Sequence, residues 1–264
     1  MGKIFAVTNQ KGGVGKTTTC VNLAASLAAT KKKVLLIDLD PQGNATMGSG
    51  VDKNEVELSL YDVLVHKATI ADVRIEAETS GYDIVPSNSD VTAAEVELLA
   101  IEGKEYRLRE ALAVEQDHYD YVIIDCPPSL NMLTVNALAA SHSVIIPMQC
   151  EYYALEGLSA LLDTINQIQQ SLNPNLEIEG ILRTMYDPRN SLTNDVSAQL
   201  HEHFPDKVYR TVIPRNIRLA EAPSYGMPAL YYDNQSKGAK AYLALAGEML
   251  RKSDYALSEE LVVD

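Results

Sequence analysis

The sequence predicts an α/β fold: a single-domain, doubly wound and mostly parallel β-sheet with helices on both faces. Three short apolar runs, at 4–7, 34–37 and 121–124, indicate buried parallel strands. Segments with helical periodicity separate these runs, and this alternation favours a parallel sheet that is covered on both sides. A glycine-rich stretch joins the first run to the first helix. We therefore expect ligands to bind at the carboxyl ends of the strands.

The remaining elements follow the same alternation. Further strands are predicted at 82–86, 143–148, 176–182 and 208–212, and helices at 20–27, 58–65, 70–76, 91–100, 104–114, 192–203 and 239–251, with a long helix ending near 172. A chain of 264 residues fits one domain, which we expect to span 1–252. Residues 253–264 contain four acidic residues and no basic one, which predicts a solvated, flexible tail.

Composition limits the functional classes. The three cysteines are scattered without a paired motif, which favours a reducing cytoplasm. No signal peptide is expected, and no apolar run is long enough to span a membrane. The net charge of −14 argues against nucleic acid as a partner. However, the segment 183–218 has six basic and four acidic residues, so it forms either a locally basic face or an ordinary solvated surface.

A phosphate-binding loop is predicted at 10–18, between the first strand and the first helix. Its glycines let the backbone curl so that N–H groups and the helix N-terminus surround an anion. Lys16 is expected to reach the β- and γ-phosphates, and the Thr17 hydroxyl to bind Mg²⁺. The predicted nucleotide-binding residues of the loop are Lys11, Gly12, Gly13, Val14, Gly15, Lys16, Thr17 and Thr18.

Acidic residues follow two of the predicted strands. Asp38 and Asp40 close the second strand, and Asp125 closes the strand at 121–124, just before Cys126. An aspartate pair that faces a phosphate loop suits water activation and the magnesium shell, although strand-end turns also use aspartate for backbone reasons. Asp125 is expected near the water shell of the metal, as in a Walker B sequence. Cys126 is expected to be a small buried residue.

Several motifs together carry a resemblance to a known family. Lys11 follows Gln10, where the common phosphate-loop pattern has glycine, and Lys-Gly-Gly-x-x-Lys-Thr-Thr resembles the deviant Walker A motif of the ParA/MinD group of P-loop ATPases. Asp-x-Asp-Pro-Gln-Gly-Asn, Asp-Cys-Pro-Pro-Ser, Cys-Glu-Tyr-Tyr-Ala-Leu-Glu-Gly and Val-Ile-Pro-Arg-Asn extend the resemblance over residues 3–252. The set is similar to chromosomal, Soj-type ParA ATPases, which segregate DNA.

That resemblance implies ATP and Mg²⁺ as cofactors, slow ATP hydrolysis and a homodimer that closes around two nucleotides. Lys11 would reach the phosphates bound by the other subunit, and Asp40, supported by Asp38, would orient the attacking water. Thr17 would bind the metal, with Asp40 and Asp125 acting through water, and Asp38 and Asp125 would belong to the cofactor-binding residues. Asn216, Pro214 and, more weakly, Met185 would contact the adenine, because an asparagine amide can both donate to and accept from a base edge.

The resemblance also implies partners. Arg189 and Arg218, followed by Arg215 and Lys237, would contact the phosphates of double-stranded DNA with little sequence preference. A ParB-type protein would stimulate hydrolysis and release a nucleoid-associated, cytoplasmic protein from DNA. No membrane partner is expected.

Alternatives from other classes stay open at this stage. A MinD-like, membrane-associated spatial regulator would need a basic amphipathic C-terminal helix, whereas this C-terminus is acidic. A metabolic P-loop enzyme, such as the related dethiobiotin synthetases, is the third class. Tyr152 and Tyr153 are either a partner surface or buried rings.

Overall fold

The computed structural model describes the backbone of residues 2–260 and all of their side chains except those of Gln116 and 254–260. One eight-stranded sheet runs through the molecule in the order β3-β4-β2-β5-β1-β6-β7-β8. The strands are β1 Lys3–Val7, β2 Val34–Asp38, β3 Ile75–Ala77, β4 Tyr82–Val85, β5 Tyr121–Asp125, β6 Ser143–Gln149, β7 Glu177–Tyr186 and β8 Val208–Pro214. All neighbouring pairs are parallel except β3 and β4, which are antiparallel. The predicted fold class is confirmed.

Helices cover both faces of the sheet. They are α1 Lys16–Ala29, α2 Asn44–Gly48, α3 Leu60–Leu64, α4 Ile70–Val73, α5 Val91–Leu98, α6 Arg107–Glu115, α7 Met132–Ala140, α8 Ala154–Ser171, α9 Ser191–His203, α10 Ile217–Glu221, α11 Ala229–Tyr232 and α12 Lys237–Glu260. Single turns of 3-10 helix occupy Lys104–Tyr106, Gln116–His118 and Ala222–Tyr225. Within the described residues, no helix combines the length and apolar character that crossing a bilayer requires.

The sheet separates two apolar cores because successive side chains of a strand point to opposite faces. In β1, Ile4 and Ala6 pack into the core beneath α3 and α5–α8, whereas Phe5 and Val7 pack into the core beneath α1 and α12. The central strands β1, β2 and β5 are therefore apolar along their length, apart from the exposed Lys3 at the start of β1 and the aspartates that close β2 and β5. This burial fixes their register and places the carboxyl ends of β1, β2 and β5 side by side.

The sheet edge at β3 differs from the prediction. A single helix was expected at 70–76, but α4 ends at Val73 and Ile75–Ala77 forms an antiparallel strand against β4. A capping box between Thr69 and Asp72 starts the short helix, and Arg74 leaves it with extended backbone angles. Pairing with β4 then outweighs the helical pattern of the segment.

The C-terminal helix is longer than predicted. It was expected to end at 251, but α12 continues to Glu260, because Ser253–Glu260 contains neither glycine nor proline to stop it. The domain boundary predicted at 252 therefore does not coincide with the end of a helix. The flexible tail stays a prediction, and residues 261–264 lie outside the described residues.

Candidate functional site

The predicted phosphate loop connects β1 to the N-terminus of α1. Gly13 and Gly15 have φ angles of 73° and 89°, in the left-handed region that favours glycine, and Gly15 is the N-cap of α1. The Lys16 ammonium folds back over the loop and donates to the Lys11 carbonyl at 3.2 Å. Burial lowers the pKa of Lys16, and the nearby Asp125 carboxyl opposes this shift. The loop therefore presents backbone N–H groups and a cation to the same space.

Two polar side chains tie this loop to neighbouring strands. The Thr184 hydroxyl on β7 donates to the Val14 carbonyl at 2.8 Å, and the Asn9 amide donates to the Pro147 carbonyl at 2.8 Å. Asn9 also accepts from the Lys11 N–H at 3.0 Å. Sequence reasoning did not identify Asn9 or Thr184, because each acts on the backbone of a residue distant in the chain. Together they hold the loop in one shape.

A cleft of about 450 Å³ opens above the loop. It brings together three segments that are far apart in the sequence: the phosphate loop, the Asp40 turn and the end of β8. The predicted residues that line it are Gly12, Gly13, Gly15, Lys16, Thr17, Thr18, Asp40, Met185, Pro214 and Asn216, with Arg215 at the same place. Lys11, Val14, Asp38 and Asp125 are not among the residues that line the cleft.

The part of the cleft formed at and just after the ends of β7 and β8 has an unusual backbone conformation and one unsatisfied polar atom. Met185 has a φ of 47°, which is rare for a residue with a side chain and marks a constrained position. The Asn216 side-chain oxygen is buried without a hydrogen-bond partner among the described residues. A buried polar atom of this kind needs a partner, and an amino group on a bound base would supply one. Tyr242 and Leu219 add apolar surface here.

Asp125 lies beneath the phosphate loop and is fully buried. Burial, together with the Asp38 charge, raises the pKa of Asp125 to about 8, while the nearby Thr17 hydroxyl and Cys20 thiol partly oppose the shift. Cys20 donates to Oδ1 at 3.3 Å, and Oδ2 has no partner among the described residues. A hard cation with its water shell would satisfy that oxygen, so the residues present fit Mg²⁺. Thr17, Asp40 and Asp125 are the residues that would hold it.

Asp38 is buried and is not among the residues that line the cleft. Its Oδ2 accepts from the Thr46 N–H at 2.8 Å and from the Thr46 hydroxyl at 2.7 Å, and its Oδ1 accepts from the Asp40 N–H at 3.2 Å. The Ser87 N–H in turn donates to the Thr46 hydroxyl at 2.9 Å. Burial raises the pKa of Asp38 to about 6 against these hydrogen bonds. Asp38 therefore fixes the backbone of the Asp40 turn, and its contact with a nucleotide stays a prediction.

Comparison with known proteins places this site in a family. The AAA domain family matches residues 2–178. The chain is 55% identical over 249 residues to the sporulation initiation inhibitor protein Soj of Bacillus subtilis, covering 94% of this chain and 98% of that protein. It is 50% identical to the chromosome partitioning protein ParA of Caulobacter vibrioides, covering 95% and 94% respectively. The chain belongs to the ParA/Soj family of P-loop ATPases.

Solved structures agree with this assignment. The crystal structure of cobyrinic acid a,c-diamide synthase from Mycobacterium smegmatis, with bound ATP analog and magnesium, aligns with a TM-score of 0.85 at 38% identity and 96% coverage of both chains. The cell division ATPase MinD of Pyrococcus furiosus aligns with a TM-score of 0.79 at 26% identity, covering 95% of this chain and 99% of that chain.

The signature lysine of this ParA/Soj family member faces solvent beside the cleft. Lys11 donates to Glu151 of its own chain at 2.5 Å, and both side chains are nearly half exposed. An exposed pair of this kind contributes little net stability, so Lys11 is free to exchange partners. The neighbouring Tyr152 and Tyr153 are 74% and 70% exposed and pack edge to face. The alternative of buried tyrosine rings is therefore wrong, and a partner surface stays open.

The four predicted DNA contacts lie on the surface with different neighbours. Arg189 is bidentate to Asp187 at 2.9 and 2.7 Å, and Arg218 pairs with Glu221 at 2.8 Å and with Asp233 at 3.2 Å. Arg215 and Lys237 are exposed and form no ion pair within the described part of the chain. In this ParA/Soj chain, DNA phosphates would have to displace carboxylates from the two arginines that were favoured.

One basic residue of the predicted locally basic face is buried. Arg183 is 7% exposed and its guanidinium is directed into the structure, so it adds no charge to the surface. The sequence count of six basic residues in 183–218 therefore overstates the basic surface of this ParA/Soj family member by one.

Proposed function

We propose that this chain is a chromosome- or plasmid-partitioning ATPase whose ATP-bound dimer binds DNA and whose hydrolysis of ATP releases it. The observation that supports this most directly is the composition of the cleft. One cavity is lined by an anion-binding loop, the Asp40 carboxylate and Asn216, whose side-chain oxygen has no partner among the described residues. Membership of the ParA/Soj family supports partitioning as the cellular role of that ATPase.

Binding is divided among the segments of the cleft. The N–H groups around Gly13 and Gly15 and the Lys16 ammonium bind the phosphates, since phosphoryl transfer depends mainly on positioning and charge neutralisation. Thr17, with Asp40 and Asp125 acting through water, would hold Mg²⁺, which would supply additional positive charge beside the phosphates. Pro214 and Met185 contact the adenine, and Asn216 accepts from its amino group.

Asp40 orients the attacking water. It lines the cleft, and its turn is fixed by the hydrogen bonds that Asp38 makes to Thr46 and to the Asp40 N–H. A carboxylate held in this way can accept a proton from water without rearrangement. Intrinsic turnover stays slow until a second cation neutralises the transferring phosphate.

Lys11 supplies that second cation from the other subunit. Its side chain is solvent-facing, and the pair with Glu151 is weak enough to be exchanged for a phosphate. The exposed Tyr152 and Tyr153 give the same face apolar surface for a second copy of the chain. Two copies therefore close face to face around two nucleotides.

Dimerisation converts weak DNA contacts into a nucleotide-dependent switch. A dimer has twice as many phosphate contacts, because each copy contributes Arg189, Arg218, Arg215 and Lys237. The slope of log affinity against log salt concentration becomes steeper in proportion. Exposed arginine–carboxylate pairs are weak in water, so DNA phosphates can displace them. A ParB-type partner then stimulates hydrolysis, and the dimer opens and leaves DNA.

DNA retention measured with ATP, with ADP and without nucleotide over a salt series tests the proposal. We expect retention with ATP only, with a steep fall as salt rises. Retention that ignores nucleotide, or that is absent even at low salt, contradicts it. Co-sedimentation with anionic liposomes in the presence of ATP would instead favour a MinD-like membrane regulator.

The need for a small-molecule substrate distinguishes a metabolic P-loop enzyme from a partitioning ATPase. A synthase turns over ATP only with its small-molecule substrate, whereas a partitioning ATPase hydrolyses ATP slowly without one. Steady turnover by the purified protein in buffer, accelerated by DNA and a ParB-type protein, supports partitioning.

A further inference from the structure

The last strand of the sheet contains a bulge close to the cleft. In the ladder between β7 and β8, Ile181 pairs with Val208 but Arg183 pairs with Val212. Three residues of β8, 209–211, therefore stand opposite a single residue of β7. A bulge of this kind leaves backbone groups unpaired and turns the following side chains to new directions.

Two buried charged side chains satisfy the backbone of the bulge. The Arg183 guanidinium donates to the Tyr209 carbonyl at 2.9 Å and to the Arg210 carbonyl at 3.3 Å. The Glu248 carboxylate on α12 accepts from the Arg210 N–H at 2.8 Å and from the Thr211 N–H at 2.9 Å. Arg183 and Glu248, which are 7% and 9% exposed, replace the ladder hydrogen bonds that the bulge removes.

Both side chains are costly to bury. Charged groups leave water at a high free-energy cost unless several hydrogen bonds compensate them. Arg183 has no carboxylate partner among the described residues, and its Nε makes no hydrogen bond there. Burial would raise the pKa of Glu248, but the hydrogen bonds from Thr211 and Arg210 outweigh it and hold that pKa below its ordinary value. A regular strand in this place would need neither charge.

The residues that follow the bulge on both strands line the base end of the cleft. On β7, Thr184 and Met185 come directly after Arg183, and Thr184 also holds the Val14 carbonyl of the phosphate loop. On β8, Ile213 and Pro214 follow the bulge and lead to Asn216. A shift of one residue in either strand would exchange the side chains that face the cleft.

We propose that Arg183 and Glu248 are positioning residues that hold the β8 bulge and thereby determine how tightly the cleft binds the base of the nucleotide. This inference deepens the proposed function, because it depends on a nucleotide base binding at Met185, Pro214 and Asn216. Neither residue touches the nucleotide. Each acts through the backbone of residues 209–211.

The test compares the affinity of the protein for ATP with its affinity for a triphosphate that has no base or sugar. Kd values are measured by calorimetry for ATP and for inorganic tripolyphosphate, both with Mg²⁺, on the full chain. The variants are Arg183→Met, which removes the donors with little change in length, and Glu248→Gln, which keeps one carbonyl acceptor. We expect each to weaken ATP about tenfold, which corresponds to one charge-assisted hydrogen bond, and to leave tripolyphosphate within about twofold.

Arg210→Met is the matched control, because Arg210 lies in the same bulge with an exposed side chain and contributes its backbone only. We expect its ATP affinity to equal that of the wild type. Arg183→Lys restores one donor and should recover part of the lost ATP affinity.

Each other outcome is decisive. Equal loss for ATP and tripolyphosphate would show a merely structural role, and unchanged ATP affinity would show no role; both overturn the inference. If Arg183→Met does not fold, Glu248→Gln decides alone. Wild-type protein that does not bind ATP overturns the proposed function instead, so the two failures are distinguishable.

Discussion

Replacing Asp125 by asparagine should change how the stability of the nucleotide-free protein depends on pH. The carboxyl is fully buried, and its pKa is raised to about 8, chiefly by burial. In the unfolded chain it ionises near its ordinary value of 3.8. Between these values the folded state holds one proton more than the unfolded state. Stability therefore falls as pH rises through this window and levels off above about pH 8.

The expected magnitude follows from that proton. One titrating group changes the free energy of unfolding by about 1.4 kcal/mol per pH unit. Over the whole interval between the two pKa values, the loss of stability is therefore at most about 6 kcal/mol. The asparagine in the variant does not titrate, but its amide leaves a buried donor unpaired at a cost of about 1–3 kcal/mol. The two stability curves should therefore cross between about pH 4.5 and pH 6, and the variant should be the more stable protein near pH 9.

Urea unfolding followed by circular dichroism, in EDTA and without nucleotide, measures both curves. The pKa of Asp38 is also raised, to about 6, so the difference above that pH isolates Asp125. Asp206→Asn, which makes the same change at an exposed position, should leave the slope as in wild type. Parallel curves for the wild type and Asp125→Asn between pH 6 and 9 would refute the reasoning that burial holds a proton on this carboxyl.

Three further substitutions test other parts of the site. Lys16→Ala should weaken ATP binding about 100-fold, the equivalent of about 3 kcal/mol of charge-assisted hydrogen bonds, in a titration with a fluorescent ATP analogue; unchanged affinity would mean that the loop is misassigned. Asp40→Ala should lower phosphate release at least about 100-fold with ATP affinity retained, and normal hydrolysis would show that another group positions the water. Thr46→Val removes a donor to Asp38 and the acceptor of the Ser87 N–H, so urea unfolding should show a loss of about 3–5 kcal/mol. Thr164→Val is its control, because among the described residues the Thr164 hydroxyl bonds only to a carbonyl of its own helix, and it should change stability by less than about 0.5 kcal/mol. Equal effects at the two positions would show that the Asp38 hydrogen bonds contribute no more than an exposed hydroxyl.

The central strands and the phosphate loop were predictable because their signals are local. A fully buried parallel strand must be apolar along its length, and the four residues of β5 before Asp125 follow that rule. Left-handed backbone at Gly13 and Gly15 requires glycine, which the sequence states directly. The helix α7 was not predicted, because Met132–Ala140 is almost entirely apolar and has no polar face to reveal a period.

The polar connections between segments were not predictable in the same way. Asp38 was expected to support Asp40, but the sequence does not indicate that Thr46 and the Asp40 N–H would occupy its oxygens. Arg183 was counted among the basic residues of a possible surface at 183–218, but the β8 bulge gives its guanidinium buried carbonyls to bind. Such contacts depend on register between distant strands, which composition and periodicity do not encode.

The role assigned to Lys11 requires two copies of the chain, each supplying a cation to the nucleotide of the other. The most direct test is the molecular mass in solution of Asp40→Ala with Mg²⁺ and either ATP or ADP, by light scattering coupled to size exclusion. The account predicts a dimer with ATP, a monomer with ADP, and a monomer with both once Lys11→Ala is added. A single mass regardless of nucleotide would contradict it.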